Sequence, residues 1–233
     1  MQLEYVDLLF CHRPDPRTPI EETVRGMNNL IDRGMAFYWG TSEWSPQQLQ
    51  EARTVAQSLG LVPPLFDQCQ YNMLERQRVE REYTPLYPQL GLTIWSPLAG
   101  GVLTGKYQRG AGANVQGRIT EMAKRMPQYS KRMERGFAVT EALEPFVKEL
   151  GCTMAQLAVA WCAANPNVST VILGATKVQQ LEDTLGAVDV IVQLAADPTL
   201  MQRIDEAIGT NPPPDTILQQ VSAMRGITRA ARL

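Results

Sequence analysis

Short runs of apolar and aromatic residues alternate along the chain with longer segments of helical periodicity. Five of these runs predict β-strands, at residues 5–10, 35–39, 65–68, 92–95 and 170–173. The first four begin roughly 30 residues apart, which is the length of a strand, a crossover helix and two short loops. The pattern therefore predicts an α/β fold with a parallel sheet.

The two segments between the first three predicted strands carry clear helix boundaries. Residues 18–33 have Pro19 and two acidic residues in the first turn and stop at Gly34. Residues 45–59 begin with Ser45 as the N-cap and stop at Gly60. This region is therefore interpreted as two βα units in tandem.

A longer interval separates the fourth predicted strand from the fifth. Its first part, residues 100–136, is rich in glycine and basic residues, and between 117 and 136 six residues are basic and two are acidic. Such a segment predicts a lid, a binding loop or disorder. Helical patterns follow at 137–150, 153–165 and 198–208. We expect one domain over residues 1–209 and a C-terminal tail at 210–233.

Polar residues gather where the predicted strands end. His12 follows the first strand, Ser42 follows the second and Gln68 ends the third. Ser96 follows the fourth strand, and a short polar segment that starts at Gly174 follows the fifth. Because the carboxyl ends of parallel strands form the ligand crevice of α/β folds, we expect these residues to share one site.

Charge and cysteine usage exclude several classes of protein. A net charge of −2 with mixed signs argues against nucleic-acid binding. The four cysteines, Cys11, Cys69, Cys152 and Cys162, form no C-x-x-C pair and are interpreted as reduced buried thiols, with no metal site. The chain shows no signal-peptide pattern and no run of about 18 apolar residues. We therefore expect a soluble, cytoplasmic protein that does not insert into a membrane.

Several motifs of this sequence resemble, in family order, those of the aldo-keto reductases. They are YVDLLFCHRPD, YWGTSEWS, QYN, WSPLAGGVLTGKY, QLAVAWC and VILGATKVQQLEDTLGA. The similarity is greatest to the branch that contains the β subunits of voltage-gated potassium channels, and it extends from Leu3 to Gly209. The resemblance implies a (β/α)8 barrel of the TIM type that binds NADPH across its strand ends without a G-x-G-x-x-G motif.

The resemblance identifies His12 with the histidine of the family's catalytic tetrad of Asp, Tyr, Lys and His. It also implies that the three βα units carrying the other tetrad residues are absent, so that the chain is an incomplete barrel starting at the fourth strand. His12 would orient or hydrogen-bond the substrate carbonyl, and a turn-capping histidine is the alternative. Channel β subunits often carry asparagine there, so His12 favours a working reductase.

The resemblance further implies the residues that bind the cofactor. Ser42 and Gln68 would hold the nicotinamide carboxamide. Tyr71 would form an aromatic surface under the nicotinamide, with a core tyrosine as the alternative. Glu43 stands where the channel branch usually has arginine, so its contact with the cofactor is left open. The pyrophosphate loop would comprise Trp95, Ser96, Pro97, Leu98, Gly100, Lys106 and Arg118, and a solvated loop is the alternative for its charged residues.

The last predicted strand leads into Gly174, Thr176 and Lys177 at the start of a helix. Free N–H groups at a helix N-terminus bind phosphate, so Thr176 and Lys177 would bind the 2′-phosphate that distinguishes NADPH from NADH. The resemblance implies that Gln180 and Asp183 face the adenosine. An N-cap with a solvated lysine is the alternative.

Two functions follow from these features. The first is an NADPH-dependent reductase of aldehydes or ketones, acting on a small carbonyl substrate and expected to be inactive without the missing units. The second is a regulatory cytoplasmic β subunit that binds NADPH and docks on a potassium channel α subunit. A homo-oligomer is also possible on this resemblance, and the open sheet edges of an incomplete barrel would favour pairing with a second chain.

Overall fold

The structure of the protein is a computed structural model that describes residues 2–107 and 118–213. Its centre is a single parallel sheet of five strands in the order β1-β2-β3-β4-β5, so each strand lies beside its neighbour in the sequence. The sheet is open, which agrees with the prediction of an incomplete barrel. The strands are β1 (Val6–Cys11), β2 (Ala36–Ser42), β3 (Phe66–Gln70), β4 (Gly91–Trp95) and β5 (Val168–Val171).

The described residues also form eight α-helices, of which the first five lie between strands and the last three follow β5. They are α1 (Ile20–Asp32), α2 (Pro46–Ser58), α3 (Arg118–Arg125), α4 (Pro127–Leu150), α5 (Met154–Ala163), α6 (Val178–Leu185), α7 (Ala187–Ala196) and α8 (Pro198–Ile208). The predicted boundaries of the first two are confirmed, because Ser45 forms a capping box with Gln48 at the start of α2. Gly34 and Gly60 have φ of +70° and +67° just past the helix ends, a conformation that glycine adopts without strain.

The helices cover one face of the sheet and build the core there. Trp39, Leu49 and Trp161 are almost completely buried on this side, and Trp39 Nε1 donates to the Val62 carbonyl at 2.8 Å. On the other face Phe10 and Phe66 stack with ring centroids 4.8 Å apart. They meet over Gly40, where a Cβ atom would collide with the Phe66 ring. The region around β1 and β2 leaves Leu8 43% and Tyr38 52% exposed.

Two predicted elements differ from the structure. Strand β5 ends at Val171, two residues before the predicted end. Residues from Arg118 onward, predicted as part of a long loop, form α3 and the first turns of α4. The charge of this segment concealed its amphipathic pattern, because Met133 and Phe137 pack against the core while Lys131 and Arg135 are exposed.

Among the described residues, no single helix has both the length and the hydropathy of a membrane span. The bent pair Val178–Ala196 and Pro198–Ile208 reaches that length and composition only when its two parts are taken together. The described part of the chain also contains no cluster of three or more His, Cys, Asp or Glu side chains that could hold a metal ion.

Candidate functional site at the strand ends

The ends of β1 to β4 meet at one edge of the sheet, as the sequence predicted. Cys11 pairs with Thr41, so His12 lies level with Ser42, and Ser42 pairs with Gln68. Gln70 pairs with Trp95 on the next strand. His12 is exposed immediately after β1. The structure therefore brings His12, Ser42 and Gln68 to one edge, and the catalytic role of His12 stays a prediction.

The hydroxyl group of Ser42 is central to this edge. Its Oγ donates to the Gln68 carbonyl oxygen at 2.7 Å and accepts an N–H of the Arg13 guanidinium at 2.7 Å. A hydroxyl has one proton and two lone pairs, so one lone pair of Ser42 is left for another donor. Arg13 lies in the stretch Arg-Pro-Asp-Pro, which is typical of a turn, and no sequence pattern indicates that its side chain reaches the neighbouring strand end.

Trp95 places an aromatic ring beside these polar groups. Residues paired in register on adjacent strands point to the same face, so Trp95 shares a face with Gln70, and Gln70 shares it with Gln68 two positions earlier. The indole is half-buried, and its Nε1 donates to a carboxylate oxygen of Glu43 at 2.9 Å. A hydroxyl, an amide and a partly exposed aromatic ring thus occupy one surface.

Tyr71 lies on the opposite side of the sheet, contrary to its predicted place beneath the nicotinamide. Its side chain points to the same face as the buried Cys69, two positions earlier, and away from the face of Gln68. Its ring packs on Trp161 with ring centroids 5.1 Å apart. Its hydroxyl donates to Glu80 at 2.8 Å, and burial raises its pKa. The tyrosine also lines a cavity of about 510 Å³ next to the helices. The structure therefore favours the alternative interpretation of Tyr71 as a core residue.

A buried carboxylate supports the strand ends from the helical side. Asp67 is fully buried and accepts hydrogen bonds from the hydroxyl groups of Thr41 and Tyr83 at 2.6 and 3.0 Å. It also accepts from the backbone N–H groups of Glu43 and Trp44. Burial raises the pKa of Asp67, and the hydrogen bonds oppose that rise. This carboxylate fixes the backbone that follows β2. The sequence analysis missed it because the alternation of side chains along the strand directs position 67 toward the core.

The segment after β4, which was predicted to form the pyrophosphate loop, turns sharply. Ser96 and Ala99 have positive φ although they are not glycines, and Gly100 follows with φ of +72°. Pro97 is buried and Leu98 is half-buried in this turn. Lys106 is exposed with its Nζ 4.9 Å from the Tyr107 ring centroid. The side chain of Arg118 lies outside the described part of the structure, so its predicted contact stays a prediction.

The residues predicted to hold the adenosine end follow β5. Gly174, Thr176 and Lys177 are exposed, and α6 begins one residue later, at Val178. Gln180 Oε1 accepts from the Thr176 N–H at 2.9 Å, which satisfies one N–H group at the helix start. Asp183 accepts from Thr153 Oγ1 at 3.2 Å and so is tied to the start of α5. Their roles toward the nucleotide stay predictions.

Comparison with known proteins identifies the family. Residues 1–208 match the Aldo/keto reductase family. A probable voltage-gated potassium channel subunit beta from Arabidopsis thaliana is 50% identical over 214 residues, which are 91% of this chain and 64% of that protein. The corresponding protein of Oryza sativa subsp. japonica is 49% identical with the same coverage. The chain thus spans slightly less than two thirds of the length of these relatives.

A solved structure gives the same result for the fold. The crystal structure of a thermostable aldo-keto reductase in complex with the inhibitor epalrestat matches 88% of this chain and 60% of that chain, with a TM-score of 0.63 and 26% identity. The predicted resemblance is confirmed on sequence and on structure. The chain belongs to the aldo/keto reductase family.

Proposed function

We propose that this chain provides part of the NADPH site of a reductase that acts on small aldehydes or ketones. The observation that carries the proposal is the arrangement at the strand ends, where Ser42, Gln68 and Trp95 share one face and His12 stands beside them. These are the donors, acceptors and aromatic surface that a planar carboxamide-bearing ring requires. When bound, NADPH supplies the hydride that reduces the carbonyl carbon.

The hydroxyl of Ser42 suits the carboxamide because its own proton is already committed to the Gln68 carbonyl. Its remaining lone pair accepts an amide N–H, while the Arg13 guanidinium next to it offers further donors to an amide oxygen. Trp95 replaces Tyr71 in the predicted aromatic role, because Trp95 is half-buried on this face at the end of its strand. His12 would donate a hydrogen bond to the substrate oxygen.

Substitution at the carboxamide site tests the proposal. Ser42→Ala and Gln68→Ala should each weaken NADPH binding by about tenfold, since each removes one hydrogen-bonding group of the site. NADPH fluorescence titration on the unmodified chain and on both variants gives the dissociation constants. Ser58→Ala is the matched control, because Ser58 is exposed at the far end of α2. Equal affinities in all four proteins, or no NADPH binding at all, would contradict the proposal.

The 233-residue chain by itself should show no reductase turnover. The resemblance assigns no tyrosine of this chain to proton donation, so the carbonyl oxygen would lack its proton source. An assay of NADPH oxidation with a reactive aldehyde tests this expectation. Measurable carbonyl reduction by the isolated chain would show that another group donates the proton.

A second function is a regulatory β subunit of a potassium channel in the cytoplasm. It is supported by the plant relatives at 50% and 49% identity, both described as probable voltage-gated potassium channel β subunits. In this role the nucleotide would be a bound ligand rather than a consumed reductant, and the partner would be a channel α subunit. Co-purification with the cytoplasmic domain of such a channel, without NADPH turnover, would favour this function over the first.

A further inference from the structure

Glu43 occupies an unusual backbone position at the end of β2. Its φ is +59°, in the left-handed region, and among the described residues only Gln2, Ser96 and Ala99 share this property without being glycines. A bulky residue in this region costs conformational energy that other interactions must offset. The contacts of Glu43 therefore indicate what the strained conformation achieves.

The carboxylate of Glu43 links the ends of three strands. Its Oε1 accepts the backbone N–H of Gln70 on β3 at 2.6 Å and the indole Nε1–H of Trp95 on β4 at 2.9 Å. The backbone N–H of Glu43 itself donates to the Gln68 carbonyl at 3.2 Å. Hydrogen bonds to an ionised acceptor are stronger than neutral ones, so this bridge holds the strand ends firmly.

Arg78 supports the same carboxylate from its other side. Its Nε lies 3.9 Å from Glu43 Oε2, and one of its guanidinium N–H groups donates to the Glu43 carbonyl at 3.3 Å. It also pairs with Glu82, with 3.7 Å between Arg78 Nε and Glu82 Oε2. The Glu43 side chain keeps only 20% of its surface exposed. The carboxylate is thus fixed between a cation and the Trp95 ring.

We propose that Glu43 is a positioning residue, which sets the orientation of the Trp95 indole and so the plane on which the nicotinamide stacks. The indole N–H lies at the ring edge, so bonding it to a fixed carboxylate stops rotation of the ring while leaving one face for a ligand. An arginine, usual here in the channel branch, carries only donors and cannot accept this N–H. The inference rests on the proposed NADPH site.

The hydrogen bond itself is tested without a cofactor. In ¹⁵N-labelled chain the Trp95 indole resonance is assigned with Trp95→Phe. Glu43→Ala should move this resonance toward the position of a free indole and speed its hydrogen exchange by about tenfold, whereas Glu43→Gln, which keeps an acceptor oxygen, should restore most of both. Glu82→Ala is the matched control, since Glu82 pairs with the same arginine without contacting Trp95.

The effect on the ligand is tested by NADPH titration of the same proteins. Glu43→Ala should weaken binding by about tenfold, Glu43→Gln by no more than about threefold, and Glu82→Ala not at all. An unchanged Trp95 resonance in Glu43→Ala, or unchanged affinity in a chain whose unmodified form binds NADPH, would overturn the inference alone. No binding by the unmodified chain would overturn the proposed function and remove the ligand half of this inference with it.

Discussion

The strand ends bury charged groups, whereas the flanks of the sheet expose apolar ones. At the ends of β2, β3 and β4, charged groups are buried and each is matched by donors, with Asp67 and Glu43 as the two acceptors. Around β1 and along α6 and α7, large apolar side chains such as Leu8 and Val192 lie exposed, Val192 by 64%.

The two regions therefore differ in how far contacts within this chain satisfy or cover their side chains. Buried polar groups stabilise a fold when they are satisfied, and the carboxylates of Asp67 and Glu43 meet that condition through contacts within this chain. The neighbouring Trp44 Nε1 and Gln70 Nε2 are buried without a hydrogen-bond partner among the described residues. Exposed apolar side chains contribute to stability only when another surface packs on them. The strand ends are therefore expected to be sensitive to single substitutions, and the flanks insensitive.

The largest effect is expected at the buried carboxylate of the strand ends. Asp67→Ala leaves the Thr41 hydroxyl and the Trp44 backbone N–H without an acceptor. Tyr83 and Glu43 lose one of their two acceptors. The substitution should lower the free energy of unfolding by about 3 kcal/mol. Chemical denaturation measures the loss. Asp7→Ala, at an exposed position on β1, should change it by less than about 0.5 kcal/mol. Similar losses in the two variants would mean that the network contributes little.

The pH dependence of stability sharpens the same point. Burial raises the pKa of Asp67 above its ordinary 3.8. Between pH 3.8 and the raised pKa, the folded state therefore holds a proton that the unfolded state releases. The stabilisation of the folded state by this bound proton is fully present below pH 3.8 and is lost as the pH rises through the raised pKa of Asp67. Asp67→Asn should remove this downward slope in the free energy of unfolding. Parallel pH curves for the two proteins would contradict it.

The smallest effect on stability is expected at the exposed flank. Leu8→Ser combined with Tyr38→Ser should change the free energy of unfolding by about 1 kcal/mol or less, because roughly half of each side chain is already exposed. The double substitution should instead lower self-association in sedimentation analysis. Leu49→Ser is the buried comparison and should cost about 3 kcal/mol. A large stability loss in the double variant would erase the distinction between the regions.

Local patterns predicted most of the fold. Ser45 and Gly60 fixed the limits of α2 because caps and left-handed stops depend on neighbouring residues alone. The parallel sheet followed from the regular spacing of the apolar runs, and the resemblance implied a barrel, in which consecutive strands are neighbours. The helices within residues 118–136 were missed because their charge suggested a solvated loop, whereas packing of a few apolar positions was enough to order them.

The site was predictable only where strand ends decide it. Ser42 and Gln68 meet because parallel strands end at one edge, and that rule needs no coordinates. Tyr71 was assigned to the wrong face because one step along a strand reverses the side-chain direction. Arg13 and Glu43 act across strands, and the reach of Glu43 depends on its positive φ, which its residue type does not predict.

The glycine at position 40 determines what lies beneath a ligand at the strand ends. Because Gly40 lacks a side chain, Phe10 and Phe66 close together across it, one layer of residues or roughly 6–7 Å below Ser42. Those rings form an aromatic floor on this face of the sheet beneath the strand ends. A molecule held at Ser42 would therefore rest above aromatic carbon, and any side chain introduced at position 40 would displace the Phe66 ring from that floor.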